Sequence, residues 1–345
     1  MLRSLLLITY LLINLNLAFS QSVNTTFERE IVLTDSLAEI YRSPQSKFHL
    51  LDNVLYMSID SPPSIAAYDI NSGKQLDYIA FEGRGPNELE TLYDFTVSES
   101  LLFLLDYTGK ILKMQRTPFK VLESSTYETM RTKLIHGFNN QLYVVNESPA
   151  EDYSIEVLNT NLDRLSLKAF DKSIPQRTEN ILLSAFSDAA HIITKDNKLI
   201  YAPSFGNMIY TYANNTLDSV DLAIPDFKVG SVDDTPLGSF YTDMSLMQKF
   251  FSNNSIITGI YSTNGNYLVE VSHLHDNYSR AIALFDKDFN YLCYSMMKDQ
   301  SRYDGTKSPK IQFSDKDHIY YYREEFNDSS KRTDKILAVF SVICK

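Results

Sequence analysis

The chain has 345 residues, of which 44% are hydrophobic and 22% charged, enough for one large domain or two ordinary ones. Its formal net charge of -11 argues against a nucleic-acid partner, because binding phosphates requires a concentrated basic surface. There is no Trp, and the 23 Tyr and 20 Phe favour β-strands.

The first twenty residues have the pattern of a secretory signal peptide. Arg3 gives a basic start, an apolar stretch covers 5–17, and Ala-Phe-Ser at 18–20 places small residues before a cleavage point. An uncleaved membrane anchor is the alternative, but Asn14 and Asn16 leave an apolar run shorter than the ~20 residues that a span needs. We expect residues 1–20 to be removed, leaving no transmembrane segment. The mature chain should be periplasmic or extracellular, and not a lipoprotein, because no Cys follows the apolar stretch.

From residue 21 onward, a unit of about four short strands returns six times. Each copy starts with a polar turn, followed by an apolar pair that contains Tyr or Phe. The pairs recur 40 to 67 residues apart and are Leu55-Tyr56, Leu102-Phe103, Leu142-Tyr143, Ile200-Tyr201, Tyr267-Leu268 and Ile319-Tyr320. One such unit cannot bury both of its faces, whereas copies stacked around an axis can. A string of β-sandwich domains would need units of ~100 residues separated by linkers. The pattern therefore predicts an all-β fold, a single six-bladed β-propeller of four-stranded antiparallel blades at 21–345.

The two ends of the chain predict how the ring closes. The last unit lacks its outer strand, and a strand-like segment at 25–36 has no partner before the first unit. We expect the N-terminal strand to join the last blade and remove an open edge. Cys293 and Cys344 would lie on the last two blades, and they could form a disulfide or remain separate thiols. The apolar strand around Cys293 favours a buried, unreactive thiol.

Two insertions, at 171–186 and 225–254, interrupt the regular spacing of the six units. In the second, Thr242 and Asp243 could cap a short helix. Such insertions either contribute to binding or cover a hydrophobic patch, and the sequence leaves both alternatives open.

The segment FEGRGPNELE at 81–90 is the most distinctive short motif. It is not a phosphate-binding loop of the G-x-x-x-x-G-K-[ST] type, and no helical pattern follows it. We expect it to run from the outer edge of the first blade to the inner strand of the second. Gly83 and Gly85 would supply positive φ, and Pro86 would fix the next turn. That path would bring Arg84 and Glu88 to the central face, which makes them the candidate ligand-binding residues.

The segment FEGRGPNELETLYDFTV at 81–97 resembles the G-x-GPxE segment of bacterial exported six-bladed β-propeller families, the NHL- and TolB-like proteins common in Bacteroidota. The next strands, LLFLLDYTGKIL at 101–112, fit the same pattern of apolar strand, Asp, turn and Lys. The resemblance implies a six-bladed propeller and export, but no settled activity. Many members of these families look like lipoproteins, and this chain departs from them there.

No catalytic or metal-binding motif stands out. His273 and His275, with Asp276 nearby, could hold a metal, but they fall on a predicted hairpin tip and are expected to be surface histidines. DKDFN at 286–290 resembles the start of a Ca²⁺ loop but lacks the required Gly and Glu, so a hairpin turn is expected. We therefore predict no metal site and no cofactor. Ca²⁺ is the one cofactor that the fold class would allow, and no motif supports it.

Two classes of function fit this sequence. The first is a monomeric binding module that holds an unknown protein, peptide or glycan at the central face or rim loops. The second is a propeller hydrolase or lyase, such as a Ca²⁺-dependent lactonase-like enzyme, with carboxylates gathered from several blades at the channel mouth. The absence of a catalytic motif favours the first.

Overall fold

The structure is a computed structural model that describes residues 22–34, 46–60, 62–127, 132–146, 155–168, 190–204, 206–214, 216–229, 243, 245, 249, 252–273, 279–297, 311–327 and 332–344. These ranges contain six antiparallel sheets of four strands each. The predicted signal peptide, the insertion at 171–186 and most of 225–254 lie outside them. Asp243, inside the second insertion, accepts hydrogen bonds from the Ser245 N–H (2.8 Å) and hydroxyl (2.6 Å), as expected of a capping residue.

The first three blades follow one another along the chain, and each is given from its innermost to its outermost strand. Blade 1 consists of β2 (Phe48–Leu51), β3 (Val54–Asp60), β4 (Pro63–Asp69) and β5 (Gln75–Ala80). Blade 2 consists of β6 (Asp94–Val97), β7 (Leu101–Leu105), β8 (Lys110–Arg116) and β9 (Phe119–Thr126). Blade 3 consists of β10 (Thr132–Phe138), β11 (Gln141–Asn146), β12 (Ile155–Asn159) and β13 (Arg164–Lys168).

The remaining three blades have the same layout, except that the last uses both ends of the chain. Blade 4 consists of β14 (Ala190–Lys195), β15 (Lys198–Pro203), β16 (Met208–Ala213) and β17 (Thr216–Asp221). Blade 5 consists of β18 (Ser255–Thr263), β19 (Asn266–His273), β20 (Ser279–Phe285) and β21 (Tyr291–Met296). Blade 6 consists of β22 (Ile311–Ser314), β23 (His318–Asn327), β24 (Arg332–Cys344) and, outermost, β1 (Val23–Leu33).

The six innermost strands form a closed ring. Each contacts the next in the order β2, β6, β10, β14, β18, β22, and β22 contacts β2 again. The predicted six-bladed β-propeller is therefore confirmed. No helix among the residues described is long and apolar enough to cross a membrane.

The repeated apolar pairs lie on the second strand of each blade, and their aromatic members pack into the seams between blades. Each of these six side chains is at most 5% exposed: Tyr56, Phe103, Tyr143, Tyr201, Tyr267 and Tyr320. Burial of large aromatic side chains is among the strongest contributions to core packing. The repeated apolar pairs in the sequence thus mark the residues that are buried between neighbouring blades.

Tight turns join the first and second strands on one side of the ring, here called the turn face. Four of them place two consecutive residues at positive φ: Asp52-Asn53, Asn139-Asn140, Asp196-Asn197 and Asn264-Gly265. Two-residue hairpins need this conformation, which Asn, Asp and Gly adopt at least cost. The outermost strand of each blade ends, and the innermost strand of the next blade begins, on the opposite side, here called the link face.

The N-terminal strand closes the ring as predicted. β1 pairs antiparallel with β24, from Val23 opposite Cys344 to Leu33 opposite Lys335. Side chains reach across β24 as well, since Arg323 forms an ion pair with Glu30 (Nη2 to Oε1, 2.9 Å). Blade 6 is therefore completed by the other end of the chain.

A disulfide lies beside this closure. Cys293 on β21 and Cys344 at the end of β24 are bonded, with their Cα atoms 6.1 Å apart. It joins the outermost strand of blade 5 to the third strand of blade 6. Because 51 residues of sequence separate the two cysteines, the bond restricts a large loop of the unfolded chain.

The turn between β22 and β23 depends on an ionised carboxylate. Asp315 accepts hydrogen bonds from the Tyr320 hydroxyl (2.5 Å) and from the N–H groups of Asp317 (2.8 Å) and His318 (2.7 Å). Burial opposes ionisation of Asp315, but these bonds outweigh it and hold the pKa of that carboxyl below its ordinary value.

Breaking the disulfide should destabilise the ring. We expect Cys344→Ser to lower the free energy of unfolding by about 2–4 kcal/mol in urea denaturation under oxidising conditions. A reductant should bring the wild type to the level of the variant and leave the variant unchanged. Identical wild-type midpoints with and without reductant would show that the bond contributes nothing.

Asp315 should make stability depend on pH in the acid range. Its folded pKa lies below the unfolded value of about 3.9, so its contribution is fully present above about pH 4 and is lost as the pH falls through the folded pKa. Asp315→Asn should therefore be less stable at pH 7 and show a shallower loss of melting temperature below pH 4. Parallel acid limbs for wild type and variant would contradict this.

Candidate functional site

The link at 81–91, followed by Leu92 and Tyr93, connects the end of β5 to the start of β6, as the motif predicts. Phe81 (2% exposed), Leu89 (1%) and Leu92 (3%) pack into the core between blades 1 and 2. A bridge between Glu82 and Leu89 folds the segment back on itself. The apolar residues thus attach the link to the seam and leave its polar residues on the link face.

Most backbone N–H groups of this link donate hydrogen bonds within the protein. The Gly83 N–H donates to Leu89 O, the Gly85 N–H to Glu88 Oε2, and the Glu88 N–H to Gly85 O. The Leu89 N–H donates to Phe81 O, and the N–H groups of Glu90 and Thr91 both donate to Asp106 Oδ2. A phosphate-binding loop needs its N–H groups turned toward the ligand. These bonds agree with the sequence-based exclusion of such a loop.

Two side chains of the β7–β8 turn fix the link in place. The Asp106 carboxylate, 1% exposed, accepts from the Glu90 (2.9 Å) and Thr91 (3.1 Å) N–H groups, and from Thr108 N–H (2.7 Å) in its own turn. The Lys110 ammonium donates to the carbonyl oxygens of Gly85 (2.5 Å) and Glu88 (2.7 Å). Sequence reasoning missed both roles, although the Asp-Tyr-Thr-Gly-Lys turn that contains them belongs to the segment at 101–112.

The glycines and the proline of the motif serve the turn in different ways. Gly83 has a φ of +147°, and a Cβ there would lie 2.0 Å from Glu88 Oε2. Gly85 does not have the expected positive φ; a Cβ there would lie 2.9 Å from the same oxygen. Pro86 follows Gly85 in a turn closed by the Glu88 N–H donating to Gly85 O (3.1 Å). Both glycines therefore make room for the Glu88 carboxylate.

Arg84 and Glu88, the two candidate ligand-binding residues, differ in their surroundings. The Arg84 side chain is 85% exposed and pairs with Glu90 (Nε to Oε1, 2.6 Å). The Glu88 carboxylate turns back into the link and accepts from the Gly85 N–H (2.7 Å). The link that carries both residues is tied to the turn between the second and third strands of blade 2. A position of either residue at the central axis stays a prediction.

Tyr107 projects from the same turn and is 63% exposed. Its N–H donates to Thr91 Oγ1 (3.1 Å), and its ring lies edge-on to that of Tyr93, with centroids 5.9 Å apart. Together, Arg84, Asn87, Glu90 and Tyr107 form an exposed group on a fixed backbone, here called the blade-2 platform. Sequence reasoning did not single out Tyr107, because a Tyr in a turn carries no signal of its own.

His273 is not the surface histidine that the sequence predicted. It ends β19 at 1% exposure, with Nδ1 2.9 Å from Ser255 Oγ and Nε2 2.7 Å from the Tyr294 hydroxyl. The predicted hairpin tip starts after it, because β19 and β20 pair as far as His273 opposite Ser279. His275 and Asp276 lie outside the described residues. Within the described part of the chain, no group of three or more His, Cys, Asp or Glu side chains is arranged to hold a metal ion.

The segment DKDFN forms the expected hairpin turn. The Asp286 carboxylate accepts from the N–H groups of Asp288 (2.8 Å) and Asn290 (2.9 Å) and from the Asn290 side-chain amide (2.9 Å). Hydrogen bonds from Asn290 are the main cause of the lowered pKa of Asp286. The Asp286 carboxylate therefore stabilises the turn through these hydrogen bonds.

The channel walls bear on the hydrolase alternative, which predicts several converging carboxylates. The six innermost strands, within the bounds given above, contain one carboxylate, that of Asp94. It is 4% exposed and accepts from the Phe95 N–H (2.9 Å).

Gly83 and Glu88 should be energetically coupled. We expect Gly83→Ala to lower the free energy of unfolding by about 1–3 kcal/mol, because the new Cβ meets the Glu88 carboxylate at a positive φ. The same substitution in a Glu88→Ala background should cost less, since only the backbone strain remains. A double-mutant cycle in urea measures this difference, and additive effects would contradict the coupling.

The chain is similar to two solved structures. One is a protein of Bacteroides fragilis described as a candidate exported protein, with 14% identity, a TM-score of 0.65, and coverage of 92% of this chain and 94% of that one. The other is a DUF4221 family member from Bacteroides vulgatus, with 9% identity, a TM-score of 0.67, and coverage of 94% and 99%. At these identities the likeness shows the fold alone.

No curated protein matches this chain. A family model, DUF5128, described as a 6-bladed β-propeller, matches residues 64–321. This span includes the link at 81–91, the β7–β8 turn, blades 2 to 5, the two outer strands of blade 1 from residue 64 onward, and the first strand of blade 6. The chain therefore belongs to the DUF5128 family of six-bladed β-propellers.

Proposed function

We propose that this protein is an exported binding module whose ligand contacts the blade-2 platform. One observation carries the proposal: Asp106 and Lys110 tie an exposed link to the blade, so that Arg84 and Tyr107 are presented on a fixed backbone. The buried Phe81 and Leu89 attach the link to the seam, and the bonds to Asp106 and Lys110 hold it at a second place.

Rigid presentation of this kind favours binding. A preorganised loop loses little conformational entropy when it meets a ligand, so more of the contact energy appears as affinity. Tyr and Arg are also the residue types that most often dominate binding energies at interfaces. The exposed part of the platform thus has the composition of a binding surface, and its interior has the bonding of a scaffold.

The sequence supports a proposal for the compartment of this protein and for the type of propeller family that it resembles. We propose that residues 1–20 are a signal peptide and that the mature chain is a monomeric periplasmic or extracellular protein. We also propose that it is an NHL- or TolB-like propeller of the type found in Bacteroidota, on the strength of the G-x-GPxE segment at 81–97. A disulfide agrees with an oxidising compartment.

Site-specific photo-cross-linking in cells that export the chain tests this function. A photo-reactive amino acid replaces Asn87 on the platform, and a matched control replaces Glu99, an exposed residue on the turn face of the same blade. We expect several-fold more adduct from position 87 than from position 99. Equal yields from both positions would remove the platform as the binding site.

A further inference from the structure

We infer that the ligand of the blade-2 platform is a protein, whose surface offers an apolar pocket for the Tyr107 ring and an acid–base pair that matches Arg84 and Glu90. This inference rests on the proposed function, because it names the class of ligand for the same site.

The exposure of the platform side chains favours an extended partner. Small ligands bind in concave sites that bury most of their surface. Arg84 is 85% exposed in its side chain and Tyr107 is 63% exposed, so neither lines the wall of a cleft. Side chains that project in this way are covered only by a partner that supplies the concave surface itself.

The chemistry of the platform matches a protein interface. Such interfaces combine an aromatic anchor with a polar rim, and Tyr, Trp and Arg contribute most of the binding energy. Tyr107 is held edge-on by Tyr93, with ring centroids 5.9 Å apart, which limits the freedom of its ring before binding. Arg84, Asn87 and Glu90 are exposed polar residues on the link that is hydrogen-bonded to the turn of Tyr107.

The ion pair of Arg84 and Glu90 can exchange partners at little cost. Its atoms are 2.6 Å apart, but the two side chains are 85% and 45% exposed. Ion pairs in water contribute little to stability and gain strength when a partner removes the solvent. A protein surface with one acidic and one basic group can therefore engage both members, and the order of their charges then sets the orientation of binding.

The overall charge argues against a polyanionic ligand. The chain has a formal net charge of -11, and the link carries Glu82, Glu88 and Glu90 beside Arg84. Nucleic acids and other polyanions need a concentration of basic groups. A surface of mixed sign around an aromatic ring instead suits another protein.

A charge swap tests whether a partner recognises the ion pair. The double variant Arg84→Glu with Glu90→Arg keeps an internal pair but reverses its polarity. With the photo-reactive residue at 87, we expect about tenfold less adduct from the double variant at an unchanged melting temperature. Tyr107→Ala should also lose about tenfold or more, whereas Tyr107→Phe, which keeps the ring, should retain the yield. Wild-type yield from the charge-swapped chain would overturn the inference.

The identity of the adduct separates the inference from the proposed function. After trypsin digestion, mass spectrometry of the fragment that contains position 87 should find a second peptide cross-linked to it. A saccharide or lipid mass instead of a peptide would overturn the protein partner but leave a binding function in place. No excess of adduct at 87 over the Glu99 control would remove the proposed function itself.

Discussion

The pairing of β1 with β24 is the interaction on which the rest of the structure depends. Each blade buries its two faces only against its neighbours, so a ring with one open seam would expose the faces of blades 1 and 6. The chain solves this by giving blade 6 strands from both ends, joined from Val23 opposite Cys344 to Leu33 opposite Lys335. The disulfide from Cys344 to blade 5 adds a covalent tie at the same place.

Closure of the ring also separates the two faces of the molecule. On the turn face, Asn, Asp and Gly at positive φ reverse the chain in two residues. On the link face, the chain must cross from an outermost strand to the next innermost one, which requires longer segments. The link at 81–91 shows the consequence: it is held by Asp106 and Lys110, and that bracing fixes the side chains it exposes. Such a site lies on a link between blades, and the propeller fold alone does not determine which ligand it binds.

Local patterns predicted the fold well, because its repeated signals are local. Tyr or Phe in each apolar pair marks a seam, and polar residues before each pair mark a turn. The prediction was weaker where side chains meet across the fold. Glu88 was predicted to bind a ligand, yet its carboxylate accepts a hydrogen bond within the link. Gly85 needs no positive φ, because its role is to make room for that carboxylate.

His273 was predicted to be exposed because its partners Ser255 and Tyr294 are 18 and 21 residues away in sequence. The roles of Asp106 and Lys110 depend on contacts 15 to 25 residues away and leave no mark in the motif itself.

Amide hydrogen exchange of the link at 81–91 tests most directly whether it is a fixed platform. If the bonds to Asp106, Glu88 and the link's own carbonyl groups persist in solution, the N–H groups of Gly85, Leu89 and Glu90 will exchange far more slowly than those of an unstructured peptide, although Arg84 beside them is exposed. Lys110→Met should speed their exchange without changing that of Phe103 in β7. Exchange at the unstructured rate in the wild-type protein would contradict the rigid platform and with it the proposed binding site.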